Sequence, residues 1–262
     1  MAGDARDLFN VSGQSVIITG ATGALGGAAA RGLAARGAKL TLAGGNAKAL
    51  KALVDEFKAG DRVTVVERRP DTQEDCTAIV DAAVKAYGRV DGLLVASGMN
   101  KVAPIVDMPV SDYDAVMDAN VKGSWLMCQA AGRQFKKQGR GGSVVLVSST
   151  RGKLGHPAGY AVYCASKAAV DLMAKSLAAE WGKQGTRVNV IAPTVFRSEL
   201  TAWMYGDDDK AKATREGMSS RIPLGRLAEP DDFVGALVFL LGDASAFMTG
   251  QVLYLDGGYT SC

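Results

Sequence analysis

The run Ser15-Val16-Ile17-Ile18-Thr19-Gly20-Ala21-Thr22-Gly23-Ala24-Leu25-Gly26-Gly27 changes character at its middle. Ser15–Thr19 is a short, mostly apolar stretch and predicts a strand buried on both faces. Glycines at 20, 23 and 26 then permit a tight turn and a close approach of backbone to a ligand. A helix over Ala24–Arg36 follows, and its first N–H groups have no partner within the helix. Such a helix start attracts an anion through those N–H groups and its positive dipole end. The spacing is not GxGxxG, so the glycines alone are a weak signal; the order of first strand, turn and helix gives them weight. Close helix–strand packing without a ligand is the bland alternative.

The same alternation continues along the chain. Strands are expected at Lys39–Ala43, Arg62–Val66, Gly92–Ala96, Ser143–Ser148, Arg187–Ile191 and Gln251–Leu255, with helices at Ala47–Ala59, Gln73–Tyr87, Tyr160–Gln184 and Asp231–Leu241. Val110–Gln138 holds further helical sequence. Repeated β-α-β units with apolar strands predict an α/β, doubly wound Rossmann fold: a seven-stranded parallel sheet with helices on both faces. No linker or repeat interrupts it, so one domain over 1–262 is expected.

The chain has 262 residues, 48% of them apolar, with 32 Gly and 7 Pro, which suits many tight strand–helix junctions. Its formal net charge of +3 is spread out and points to neither nucleic acid nor a membrane surface. No apolar run approaches the roughly 18 residues of a membrane span, and Met1–Asp7 carries acids without a signal-type apolar core. Cys76, Cys128, Cys164 and Cys262 form no CxxC and read as reduced thiols, so a cytoplasmic location is expected. One His argues against a His-built metal site or a Ser–His–Asp triad, and no metal is expected.

Tyr163 and Lys167 lie four residues apart in an expected helix and therefore share a face. A nearby cation favours the phenolate and lowers a tyrosine pKa from its usual value near 10. A tyrosine tuned in this way can give a proton to an alkoxide or take one from an alcohol. By itself the pair also fits an ordinary surface contact.

Together with the glycine turn, Asn120-Val121-Lys122-Gly123 and Val147-Ser148-Ser149, the pair makes the chain resemble the short-chain dehydrogenase/reductase superfamily. Asp91-Gly92-Leu93-Leu94-Val95-Ala96-Ser97-Gly98, Pro193, Pro223-Leu224-Gly225-Arg226, Gly250 and Asp256-Gly257-Gly258 extend the resemblance over essentially the whole chain. It implies a catalytic tetrad. Tyr163 is the general acid/base, and Lys167 lowers its pKa and holds the nicotinamide ribose. Ser149 bonds the substrate oxygen, and Asn120 holds a water that links Lys167 to solvent. It also implies cofactor contacts from Thr19, Gly20, Thr22, Gly23, Ala24, Leu25 and Gly26, from Gly44, Gly45, Asn46 and Arg69, from Ala96, Ser97 and Gly98, and from Tyr163, Lys167, Pro193, Val195 and Ser198.

The departures from the family pattern cluster at the cofactor. Ala24 replaces a turn glycine, Val95-Ala96-Ser97-Gly98 replaces Asn-Asn-Ala-Gly, Arg69 stands where many relatives carry Asp, and Pro193-Thr194 replaces Pro-Gly. An acid at the end of strand two selects NAD by bonding the ribose 2′-hydroxyl. Leu42-Ala43-Gly44-Gly45-Asn46 has neither acid nor Arg, so NADP(H) is favoured by elimination and NAD(H) stays open. Lys48 and Arg69 are candidate phosphate partners.

Substrate contacts are expected from Met99, Asn100, Arg151, His156, Tyr160 and Trp203, under a lid at about 195–221. Arg151, with Lys153 and His156 nearby, can clamp a carboxylate or phosphate, or form an ordinary charged loop. The expected activity is NAD(P)-dependent interconversion of a secondary alcohol and a ketone on a polyol, sugar-derived or hydroxy/oxo-acid metabolite. A 3-oxoacyl-thioester ketoreductase, with lid aromatics around the acyl chain, is the second enzyme expectation. A non-catalytic nucleotide sensor on the same fold is the alternative of another class. By resemblance, the Val110–Gln138 and Tyr160–Gln184 helices and the last strand form the contacts of a homotetramer.

Overall fold

The structure, a computed structural model, describes residues 7–57 and 60–261. Its strands are β1 Ser15–Thr19, β2 Lys39–Ala43, β3 Val63–Val66, β4 Gly92–Val95, β5 Ser143–Val147, β6 Arg187–Pro193 and β7 Val252–Leu255. They form one parallel sheet in the order β3-β2-β1-β4-β5-β6-β7. The order reverses between β1 and β4, where Thr19 stands opposite both Ala43 and Val95. A crevice opens beyond the carboxyl ends of the strands at such a reversal.

The helices are α1 Ala24–Ala35, α2 Ala47–Asp55, α3 Gln73–Tyr87, α4 Val110–Met117, α5 Gly123–Gln138, α6 Ala161–Trp181, α7 Asp209–Ser219 and α8 Asp232–Leu241. One apolar core joins β-strand residues such as Ile18 and Leu40 to α1, α2 and α8; the other joins Ile17 and Leu93 to α3, α5 and α6. Successive residues of β1 thus feed opposite faces, which is why all five are buried. Each fully buried Leu or Ile contributes roughly 1.5–3 kcal/mol. Small residues set the helix spacing: a Cβ on Gly32 of α1 would lie 2.4 Å from Cγ1 of Val234 in α8.

Helix starts are capped where the sequence supplies a polar residue. Asn46 accepts from the Ala49 N–H, Thr72 from Asp75 and Asp208 from Ala211. Asp208 is therefore a cap, and α7 begins at the next residue, Asp209, within the segment expected to be a lid. Cys76 and Cys128 are free and buried, and burial pushes both thiols up to about 12. Cys262 lies outside the described residues.

Several boundaries differ from expectation. Strand β6 runs two residues further, to Pro193, because a proline at a strand end forfeits no needed donor. The strand expected to end at Ala96 stops at Val95, and that expected to end at Ser148 stops at Val147. Arg62 belongs to a 3₁₀ turn, and Gln251 precedes β7. Helix α2 ends at Asp55; Lys58 and Ala59 lie outside the described residues. The Tyr160–Gln184 helix is α6 plus a 3₁₀ turn at Gly182–Gln184. Val110–Gln138 is two helices joined by a π turn at Asp118–Lys122, centred on Asn120. After β6 comes a 3₁₀ segment, Glu199–Tyr205, and then α7.

Candidate active site

A cavity of about 550 Å³ opens at the β1/β4 reversal, within the usual size range of small-molecule sites. Its walls come from the β1–α1 turn (Thr22, Gly23, Ala24, Leu25, Gly26), the β4 loop (Ala96 to Asn100), Ser149, Tyr163, Lys167, Pro193 and Ser198. The turn is packed to the limit of its glycines. Gly20 has φ +66°, and a Cβ there would sit 2.6 Å from the Ser97 nitrogen. A Cβ on Gly26 would lie 2.1 Å from the Gly20 carbonyl oxygen. Thr19 Oγ1 and Ser97 Oγ add a 3.1 Å hydrogen bond between the β1 and β4 ends.

No side chain caps the start of α1, and Gly23 stands at its N-cap with Ala24 as first helical residue. The helix therefore presents its first N–H groups and dipole end to the cavity. Asn100 Oδ1, buried at the cavity wall, has no partner among the described residues. An anion-receptive helix start and an orphaned acceptor in one elongated crevice fit a dinucleotide.

On the opposite wall, Ser149 caps a short turn, accepting from the Arg151 N–H at 3.2 Å. Its hydroxyl lies close enough to the Tyr163 phenol to favour the phenolate. Lys167 is buried and donates from Nζ to the Val147 carbonyl at 2.9 Å. Its Nζ lies 5.7 Å from the Tyr163 ring centroid. Burial pulls the Lys167 ammonium down to about 8, against the opposing pull of Asp171. The expected lowering of the Tyr163 pKa is not what the free chain shows. Burial raises it, outweighing the Ser149 hydroxyl and the Arg151 charge. A buried phenolate costs more than those two contacts return, and the Lys167 N–H bond goes to the Val147 carbonyl rather than to Tyr163.

Asn120 lies behind this wall. Its Nδ2 donates to the Met99 carbonyl and to Ser166 Oγ, both at 2.9 Å, and its Oδ1 accepts from the Met99 N–H at 2.8 Å. A Cβ on Gly98 would approach Asn120 Oδ1 to 2.8 Å and Lys167 Nζ to 3.6 Å, so Asn120, Lys167 and the β4 loop meet at that glycine. The side chain is thus fully engaged in tying the β4 loop to α6.

Other sequence candidates fall outside the cavity lining. Thr19 and Gly20 brace the turn from beneath, and Asn46 caps α2. Gly44 is buried against Leu50 and Thr22. Gly45 is exposed beside Arg69, whose Cδ would lie 2.9 Å from a Cβ at that position. Val195 packs under a small cluster of Met204, Ile222 and Leu227 with Tyr205, Met218 and Tyr259. Trp203 is 61% exposed and lines no part of the cavity, whereas Tyr205 is taken up by that cluster and by the Arg197 guanidinium 4.2 Å above its ring. Trp203 and Tyr205 therefore make no aromatic cradle for an acyl chain, and Phe196 is the lid aromatic that lines the cavity.

Beyond Tyr163 the site has an aromatic and basic rim. The Tyr163 and Tyr160 centroids are 6.2 Å apart, and those of Tyr160 and His156 are 4.6 Å apart. Burial, Arg151 and Arg221 all hold His156 below its ordinary pKa. Sequence reasoning missed Arg31 and Glu56, whose ion pair at 2.6 Å borders the cavity between α1 and α2. The i, i+4 spacing of Gly23, Gly27 and Arg31 on one face of α1 was the available signal. Among the described residues no cluster of His, Cys, Asp and Glu can hold a metal.

A family model described as enoyl-(acyl carrier protein) reductase matches residues 20–260. An uncharacterized oxidoreductase of Mycobacterium tuberculosis is 63% identical over 254 residues, covering 97% of this chain and 94% of that protein. A short-chain type dehydrogenase/reductase from Mycobacterium marinum superposes with a TM-score of 0.90 at 31% identity, over 98% of this chain and 99% of that one. A gluconate 5-dehydrogenase from Burkholderia cenocepacia, solved in complex with NADP and tartrate, does so with a TM-score of 0.90 at 30% identity over 98% of each chain. With that family model matched over most of the chain and relatives of this identity and coverage, the chain belongs to the short-chain dehydrogenase/reductase superfamily.

Proposed function

We propose that the protein is an NAD(P)-dependent oxidoreductase that interconverts a secondary alcohol and a ketone on a polyol, sugar-derived or hydroxy/oxo-acid metabolite. The convergence of Ser149, Tyr163 and Lys167 on the cavity that also receives the start of α1 carries this proposal. When bound, the nicotinamide cofactor supplies or accepts the hydride. The first N–H groups of α1 hold the pyrophosphate, and the Lys167 ammonium holds the ribose hydroxyls. Ser149 hydrogen-bonds the substrate oxygen and fixes it near Tyr163. In reduction, that oxygen takes its proton from the Tyr163 hydroxyl; in oxidation the proton returns to the phenolate. Positive charge from Lys167, whose Nζ lies 5.7 Å from the Tyr163 ring centroid, would stabilise that phenolate. Asn120 keeps Met99 and the β4 loop in register with α6, and its main-chain carbonyl, rather than its engaged amide, would hold the water that links Lys167 to solvent. Residues 195–221 form a lid that excludes water from the step. The sheet, the lid and both cores make one domain over 1–262. Mixing the protein with NADP⁺ or NAD⁺ and panels of secondary alcohols tests this. Reduced-nicotinamide absorbance is expected to grow with at least one polyol or hydroxy acid, and silence across both cofactors and the whole panel rejects the proposal.

NADP(H) is the favoured cofactor. The end of β2 carries no acid, and Arg69 fills the space that a side chain at Gly45 would take, paired only to exposed Asp71 at 3.7 Å. A guanidinium there meets a ribose 2′-phosphate. Arg69→Gln is expected to weaken NADPH binding about tenfold while NADH binding stays within twofold; equal losses for both cofactors would remove Arg69 from this role. Lys48, exposed on α2, is the lesser candidate.

We also propose a cytoplasmic homotetramer acting on a small molecule. Exposed Trp125 on α5, Leu172 on α6 and Phe247 before β7 support two faces for further copies. Light scattering should report four chains per particle, and a monomer would contradict it. Among the described residues no helix is long and apolar enough to cross a membrane.

A further inference from the structure

Arg151 and Arg221 both stand against one aromatic ring, that of Tyr259. The Arg151 guanidinium carbon lies 5.8 Å from the Tyr259 centroid and that of Arg221 lies 5.1 Å from it. Arg151 spends one donor on the Gly155 carbonyl at 3.1 Å and another on the Tyr259 hydroxyl at 3.4 Å. Arg221 makes no side-chain hydrogen bond among the described residues, and neither arginine faces a carboxylate there. Arg31, Arg89, Arg140, Arg197 and Arg226, by contrast, each do.

Two guanidinium groups set against one ring, with no carboxylate beside either among the described residues, repel each other, and a shared anion relieves that cost. Their placement ties the pair to the reaction centre. Arg151 is hydrogen-bonded through its backbone to Ser149 Oγ, and its charge reaches both Tyr163 and His156. Arg221 follows α7 at the end of the segment proposed as a lid, and it too acts on His156. Tyr259 packs in the same small core as Met204 and Ile222. An anion bridging the two arginines would therefore join the Ser149 loop to the lid.

We propose that Arg151 and Arg221, set against Tyr259, form a carboxylate clamp, and that the substrate is a polyhydroxy or oxo acid whose carboxylate they hold while Ser149 and Tyr163 act on a carbon further along it. The clamp rests on the oxidoreductase reading above and narrows its substrate from three classes to one. A planar carboxylate suits forked guanidinium groups, and Tyr259 anchors Arg151 through its hydroxyl and Arg221 through its ring.

The test compares gluconate with glucitol and threonate with threitol, matched pairs in which a carboxylate replaces a terminal hydroxymethyl group. Cofactor reduction and calorimetric binding to the cofactor-loaded protein are both read in wild type, Arg221→Gln and Arg221→Lys. In wild type one acid should exceed its matched polyol in kcat/KM by about tenfold or more. Arg221→Gln should lower that ratio roughly tenfold, chiefly through the KM of the acid, and Arg221→Lys should restore part of it. A polyol preferred to its acid, or a ratio unmoved by Arg221→Gln, overturns the clamp. If no compound is turned over, the oxidoreductase reading fails. Calorimetry then decides the clamp separately: carboxylate binding that Arg221→Gln weakens sustains it, and absence of binding overturns it.

Discussion

Tyr163→Phe is expected to cut turnover by about 10²- to 10⁴-fold, the usual worth of a positioned acid or base. The change removes one hydroxyl and its contact with Ser149, and it leaves the ring against Tyr160. Cofactor affinity should stay within a few-fold, because the turn at Gly20–Gly26 and the start of α1 are untouched. Single-turnover absorbance with saturating cofactor checks this. Wild-type rates in the variant would assign the proton to another group and would undo the roles given to Ser149 and Lys167 with it.

Lys167→Met should show two effects that a merely structural residue would not combine. Turnover should fall by about 10²-fold or more, since the phenolate loses its nearest buried cation. Stability should change in a pH-dependent way. Burial lowers the Lys167 pKa from 10.5 to about 8 in the folded chain. Between those values the unfolded chain binds the proton and the folded chain does not, so this group makes stability rise with pH there. Below pH 8 both states are protonated and the cost of the buried charge is fully present; above 10.5 both are neutral and it is gone. The stability difference should therefore move by about 3 kcal/mol in favour of wild type across that window. Denaturant melts of both proteins, without cofactor, measure it. A constant difference across the window would mean that the Lys167 ammonium is solvated rather than buried.

The sheet was legible because strands covered on both faces need unbroken apolar residues, as Val16-Ile17-Ile18 and Val144-Val145-Leu146 show. The Tyr163–Lys167 pair and the Gly20–Gly26 turn were legible because each is a local spacing. The π turn at Asn120 was not, since its position is set by Met99 and Ser166, partners distant in sequence. The approach of Arg69 to Gly45 and the meeting of Arg151 with Arg221 against Tyr259 are likewise tertiary. The Tyr163 pKa ran opposite to expectation because i, i+4 spacing gives proximity and says nothing of burial or of where Lys167 directs its proton donor. Trp203 failed as a contact because an aromatic in a lid can face either side, and here it faces solvent.

The central claim is that the crevice between the α1 start and Tyr163 holds a nicotinamide dinucleotide. Titrating the protein with NADPH and with NADH, and following the fluorescence of the reduced ring, tests it most directly. Saturable binding of one cofactor per chain, tighter for NADPH, is the expected result. Unchanged fluorescence with both cofactors at millimolar concentration would contradict it, and the crevice would then be a packing feature of the glycine turn rather than a cofactor site.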